Sequence, residues 1–146
     1  MTEPLDPVAR LVAIEEIKNL KARYFRFLDT KQWEEWGSVF ADDVVMEIPE
    51  ADAVMRGRAD VVKYVSAALE RSTSVHHGHM PEIEITGVDT ARGVWAMSDY
   101  VEWSKKDGTA AGLRGYGHYL EGYVRENGEW RIAELRLERL RIDPLG

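Results

Sequence analysis

Cysteine is absent from this chain of 146 residues, so disulfides, thiolate nucleophiles and thiolate metal sites are excluded. Long apolar runs are absent too, and none approaches the roughly 20 residues that a membrane-crossing helix needs. The opening residues, Met1 to Pro7, lack the basic start and apolar stretch of a secretory signal, so a cytoplasmic protein is expected. Positive charge is in deficit. Nineteen Lys and Arg against 26 Asp and Glu leave a net charge of −7, which argues against binding to a nucleic-acid backbone. What remains, 45% hydrophobic and 31% charged residues without repeat, linker or low-complexity segment, reads as one globular domain over residues 1–146.

Histidine is scarce as well, with four residues, yet three fall within four positions at His76, His77 and His79; the fourth is His118. An unperturbed imidazole has a pKa of about 6.5 and serves as base, acid or ligand. The cluster therefore concentrates the chemical question.

Asp6-Pro7 marks a helix start, a capping carboxylate followed by proline at the first helical position. Leu11, Ile14, Ile17, Leu20, Tyr24 and Phe27 or Leu28 recur at three and four residues and predict a helix ending near Asp29. A second helix is expected over about Gln32 to Ala41, with Trp33, Trp36 and Phe40 on one side. A strand from Val44 to Ile48 stops before Pro49, and a third helix runs from Ala59 to Arg71. Four long strands follow: His76 to Thr86, Val94 to Ser104, Leu113 to Arg125 and Glu129 to Ile142. The turn signals between them include Asn127-Gly128, a hairpin dipeptide. Helices followed by a strand meander predict an α+β protein with about three helices on one face of a strongly curved sheet. Such a sheet does not fill completely, and the apolar pocket it leaves suits a small ring-containing ligand.

Asp29 closes the first helix, facing the negative end of its dipole; alternatively Asp29 or Thr30 caps the second helix. Tyr24 lies on the apolar stripe of the same helix. Strand alternation puts His77 and His79 on one face and His76 on the other unless Gly78 bulges the strand. His77, His79 and His118 form the one imaginable three-imidazole metal set, although no metal is expected. Arg139 and Arg141 share a face with Leu135 and Leu137. A buried guanidinium there needs a carboxylate, for which Asp29, Asp99 and Glu121 are the candidates. His79, Trp95, Tyr116 and His118 are expected substrate contacts.

The segments Ile17–Trp33, His76–Ile85 and Gly128–Ile132 together carry a resemblance to the SnoaL-like branch of the nuclear transport factor 2-like superfamily, most similar there to bile acid 7α-dehydratase. The resemblance implies a cone-shaped barrel with an internal site, association of copies through the sheet as a homodimer or homotrimer, and lyase or isomerase chemistry without a cofactor. It implies Tyr24, Asp29, His76 and Arg139 as catalytic residues. Asp29 would orient His76 as base, Tyr24 would bond a carbonyl or departing hydroxyl, and Arg139 would stabilise developing negative charge. A tyrosine expected in the first strand falls near Ile48 here, which weakens the case for a steroid more than the case for the chemistry. Dehydration or isomerisation of a cyclic, largely apolar hydroxy or carbonyl compound is the function expected. The alternative is a binding module of the same fold, for small molecules or a partner, in which Asp29 and His76 stand far apart.

Overall fold

The computed structural model describes residues 5–146, so what is read from Met1 to Pro4 lies outside the described residues. Helix α1 runs over Pro7–Asp29. The Asp6 side chain accepts the Ala9 N–H at 2.9 Å, and proline at the first position loses no hydrogen bond by lacking its N–H. The buried stripe is Ala13, Ile17, Leu20, Lys21, Tyr24 and Leu28. It is rotated from the expected one: Leu11 points to solvent and a lysine lies inside.

The second helix, α2, is only Trp33–Gly37, because the chain turns extended at Phe40 to begin β1 (Phe40–Ile48). Phe40 pairs with Ile132 in the sheet while its ring stays 4.8 Å from that of Trp36. A short turn of 3-10 helix at Pro49–Ala51 and a four-residue strand, β2 (Ala53–Arg56), precede α3 (Arg58–Leu69). The meander follows as β3 (Thr73–Ile85), β4 (Thr90–Ser104), β5 (Ala110–Glu126) and β6 (Glu129–Leu145). The sheet order is β2-β1-β6-β5-β4-β3, antiparallel throughout except that β1 runs parallel to β6. Three helices thus pack on a six-stranded mixed sheet. The sheet is curled rather than closed into the expected barrel, with β2 and β3 as its edges.

Two bulges set which side chains turn inward. In β3, Met80 and Pro81 together face the single residue Trp95 of β4, and Met80 takes a left-handed φ of 38°. The bulge therefore lies beyond Gly78, so His76 and Gly78 stay inside while His77 and His79 stay outside. In β6, Gly117 pairs with Arg139 but Tyr116 with Arg141, so Leu140 is the extra residue. That slip turns Arg139 inward and Arg141 outward, separating two arginines expected on one face.

Lys21 ties α1 to the middle of the sheet. Its ammonium, fully buried, lies 2.8 Å from the carboxylate of Glu121, also fully buried, and 3.5 and 3.8 Å from the ring centres of Tyr24 and Tyr119. Tyr123 donates to the other Glu121 oxygen at 2.7 Å, and the Trp95 indole donates to Tyr123 at 2.9 Å. Burial lowers the Lys21 pKa from its ordinary 10.5 to about 8, against the raising effect of Glu121.

Removing one partner of a buried pair leaves an uncompensated charge. Lys21→Met should therefore cost about 3–5 kcal/mol in urea unfolding, and Lys21→Met/Glu121→Leu should recover most of it. The pH dependence has a definite sign. From pH about 8 to 10.5 the unfolded chain holds more of the Lys21 proton than the folded one, so stability rises with pH in that window. Burial raises the pKa of Tyr24, Tyr119 and Tyr123, which reverses the slope above their ordinary value of 10. Urea titrations at pH values between 8 and 10 should show the rise in the parent protein and its absence in the double variant.

Candidate active site

Between α1, α3 and the inner face of the sheet lies a cavity of about 240 Å³. Leu28, Val65, Leu69, Leu135 and Leu137 supply apolar wall, while Tyr24, His76, Asp99, Tyr119, Arg139 and Glu50 gather polar groups on it. A mostly apolar lining with a few polar groups is the usual form of a small-molecule site. A larger open trough of about 910 Å³ crosses the outer face past Glu47, Glu82, Glu84 and Glu134. No imidazole or tyrosine hydroxyl meets those carboxylates, so the internal cavity is the chemically equipped one.

His76 stands where the edge strand meets the end of α1. Its backbone N–H points off the sheet and would be unpaired, but Asp29 Oδ2 accepts it at 2.8 Å. Asp29 Oδ1 lies 2.6 Å from His76 Nδ1. A carboxylate can only accept, so Nδ1 carries the proton and the lone pair of the neutral ring falls on Nε2. Ser74 donates to Asp29 at 3.3 Å and accepts from Lys31 at 2.6 Å, which places a cation two bonds behind the carboxylate. Asp29 therefore does not cap α2, whose N-cap is Gln32; Thr30 instead donates to the Arg26 carbonyl.

On the other side of the imidazole, Asp99 is the cross-strand partner of His76, and its Oδ2 lies 3.7 Å from Nε2. That distance exceeds a hydrogen bond, because both Asp99 oxygens are held by Arg139 through Nη1 and Nη2 at 2.8 Å each. Arg139 also donates from Nε to Glu50 at 2.6 Å. Burial disfavours the guanidinium charge, but the bonds and attraction of Asp99, and then of Glu50, outweigh it and raise the pKa. Glycine at 115 makes room for this pair: a Cβ there would lie 1.8 Å from Arg139 Nη1 and 2.3 Å from Asp99 Oδ1. Tyr24 is held protonated by burial first and the Glu121 charge second, so its hydroxyl is available as a donor.

The expected catalytic set, Tyr24, Asp29, His76 and Arg139, is thus gathered at one cavity. The expected substrate contacts are not. His79 is exposed on the outer face near Ser98, since the bulge falls after it. Tyr116 and His118 alternate outward along β5. Trp95 faces inward but is packed behind the cavity wall, its indole bonded to Tyr123. His79, His118 and the neighbouring His77 do not converge, and among the described residues no group of His, Asp and Glu is arranged to hold a metal ion.

Several cavity residues escape sequence reading. Asp99 enters it only as one of three partners for an arginine, Tyr119 only as a strand aromatic lining either the cavity or the opposite face, and Glu50 not at all; Ser74 and Lys31, behind Asp29 rather than on the cavity, do not enter it either. Alternation holds the signal for two of them, because Asp99 and Tyr119 share their strand faces with Met97 and Tyr123. Glu50 has no periodic signal; a turn carries it.

Comparison with known proteins agrees with this architecture. Hexachlorocyclohexane dehydrochlorinase (LinA) type 2 superposes with a TM-score of 0.84 over 97% of this chain and 94% of its own, at 18% identity. A putative scytalone dehydratase from Novosphingobium aromaticivorans gives the same score and identity over 97% and 93%. These two show the fold alone. A Mycobacterium tuberculosis protein of unknown function, Rv3472, shares 29% identity and a TM-score of 0.77 over 95% of this chain and 79% of its own. In sequence, the probable cyclase FGR4 of Gibberella zeae is 24% identical over 134 residues, 85% of this chain and 89% of the relative. Residues 9–136 match the SnoaL-like domain, and the chain belongs to that family.

Proposed function

We propose that the protein is a cofactor-independent lyase or isomerase acting on a cyclic, largely apolar carbonyl or hydroxy compound, with His76 as base. The observation that carries this reading is the Asp29–His76 contact of 2.6 Å at a cavity wall, with Nε2 left free. In this reading Nε2 removes a proton from carbon, one acidified by a neighbouring carbonyl. Asp29 holds the ring and faces the imidazolium that forms, with two further hydrogen bonds fixing the carboxylate. Tyr24 donates to the carbonyl or the departing hydroxyl, and Arg139 with Asp99 forms the opposite polar wall.

The binding-module alternative requires Asp29 and His76 to be separated or His76 to face solvent. A distance of 2.6 Å and a buried imidazole weigh against it. The names of the relatives, a cyclase, a dehydrochlorinase and a putative scytalone dehydratase, fit proton abstraction from a ring as the shared step. A cavity of about 150 Å³ takes benzene, so 240 Å³ suits one or two rings rather than the four of a steroid. The likeness to bile acid 7α-dehydratase therefore extends, in this proposal, to the residue set and not to the substrate. Association as a homodimer or homotrimer belongs to the same proposal, supported by the exposed Val75, Tyr116 and Leu140.

Proton abstraction can be read without the natural substrate, as deuterium uptake α to the carbonyl of 1-tetralone in D2O by NMR. The protein should accelerate exchange above buffer. His76→Ala should abolish the acceleration, and Asp29→Asn should lower it by about 10²–10⁴-fold with circular dichroism unchanged. Exchange that is absent, or unaltered in His76→Ala, would overturn the assignment of the base. Gly115→Ala, which drives a methyl group into the Arg139–Asp99 pair, should lower exchange while leaving the Asp29–His76 contact formed.

A further inference from the structure

Arg139 is the one cation on the cavity wall among the described residues, and its donors are largely spoken for. Nη1 and Nη2 serve Asp99, and Nε serves Glu50. Polar or titratable groups reach the cavity from six of the elements around it. Tyr24 comes from α1, Tyr64 from α3, His76 from β3, Asp99 from β4, Tyr119 from β5 and Arg139 from β6. Asp29 stands directly behind the imidazole. Lys21 stands behind Tyr24 and Tyr119, but Glu121 neutralises it. Asp29 is answered by Lys31 through Ser74, so on the wall itself Asp99 and Glu50 face a single guanidinium, which leaves it negative by one charge with a neutral imidazole and balanced with an imidazolium.

The Asp99 contact is built into the sheet, since Asp99 is fixed by its strand and Gly115 is shaped around it. The Glu50 contact is different in kind. Glu50 sits in the turn Pro49–Ala51, which reverses at Asp52 in a left-handed conformation (φ 49°), and its carboxylate is partly exposed where it meets Arg139. It occupies the Nε edge of the guanidinium, the edge a ligand carboxylate would otherwise grip in a two-point contact.

We propose that Glu50 is a specificity-determining residue: by occupying Arg139 and adding negative charge at the cavity wall, it bars ring compounds bearing a carboxylate and leaves uncharged ring compounds as the ligand class. This deepens the functional reading given above and rests on the cavity being the reaction site. It follows the general logic of selectivity, in which a repulsive group placed against the wrong ligand discriminates as well as an attractive one for the right ligand. Glu50 acts here on what enters, not on the proton transfer itself.

Two probes of equal ring size separate the cases: 2-naphthol, neutral at neutral pH, and 2-naphthoate, an anion. Binding is read by isothermal titration calorimetry, with the His76 ring resonances followed by NMR to place each probe in the cavity. The parent protein should bind naphthol with a shift of His76 and bind naphthoate at least about tenfold more weakly. Glu50→Gln, a substitution in an exposed turn, should narrow that ratio by about tenfold through tighter naphthoate binding. The proposal is overturned if naphthoate binds the parent as tightly as naphthol, if Glu50→Gln leaves the ratio unchanged, or if naphthol fails to bind or to shift His76. The readout needs no turnover. Selectivity with no deuterium exchange would therefore overturn only the acid–base reading, and exchange without selectivity only this one.

Discussion

The contact on which the rest of the molecule depends is the ion pair between Lys21 and Glu121. Two charges wholly removed from water are tolerable only if each satisfies the other, and here the pair is further satisfied by Tyr123 on one side and two aromatic faces on the other. It fixes both the rotation of α1 about its axis and its position along β5. Tyr24, one turn further on, and Tyr119, two residues before Glu121, are then set against the cavity as a consequence. A buried lysine in an otherwise apolar stripe is thus the anchor that converts a helix lying on a sheet into a helix lying in one register on it.

The end of the same helix is fixed by a different device. Edge strands carry backbone donors without partners, and β3 offers one at His76. Asp29 accepts that N–H and the ring Nδ1 of the same residue, so a single carboxylate finishes the sheet edge, holds the imidazole and selects its tautomer. Structure and proposed chemistry are joined at that point. The opposite wall is held by pairing inside the sheet instead, with Asp99 beside His76 and Arg139 brought inward by the Leu140 bulge. His76 is therefore held from both sides, by Asp29 at the end of α1 and by Asp99 across the strand pair, the fixed placement that the proposed base requires.

Much of this is legible in the sequence, and where it is not the reasons are physical. The order of elements and the four long strands follow from period and turn chemistry. Pattern places Tyr24 on a helical stripe, Asp29 at a helix end and His76 on one strand face, while the family resemblance is what picks them out as a set. The spacing overstates the extent of α2 because Trp33, Trp36 and Phe40 keep a helical period, yet Phe40 gains more by pairing with Ile132 in the sheet. Four-residue β2 gives too short a pattern to register. His79 stays on the outer face that plain alternation gives it, because the β3 bulge falls after it, whereas the parting of Arg139 from Arg141 turns on the β6 bulge. A bulge inserts one residue and inverts every face beyond it, and neither Met80 nor Leu140 announces it locally. Trp95, Tyr116 and His118 escape correct placement because an aromatic strand residue reads the same whether it lines a cavity, packs behind it or faces outward.

The proteins this chain resembles carry different names, a probable cyclase, a dehydrochlorinase and a putative scytalone dehydratase, the last two on the same fold. In the proposed chemistry, proton removal needs one fixed base with its lone pair toward the ligand, a requirement that the two short contacts between α1 and β3 would meet. In the same proposal Tyr24 of α1 meets what departs, while the charge tolerated is set on the facing wall by a β6 arginine, a β4 carboxylate and a turn residue outside the sheet's regular pairing. The proposed base is held by the end of α1 and by strand pairing. The proposed selectivity rests in part on Glu50, in a turn outside the strand pairing and the buried core. On that proposal, a change in the turn would alter the ligand accepted while the Asp29–His76 contact stayed as it is.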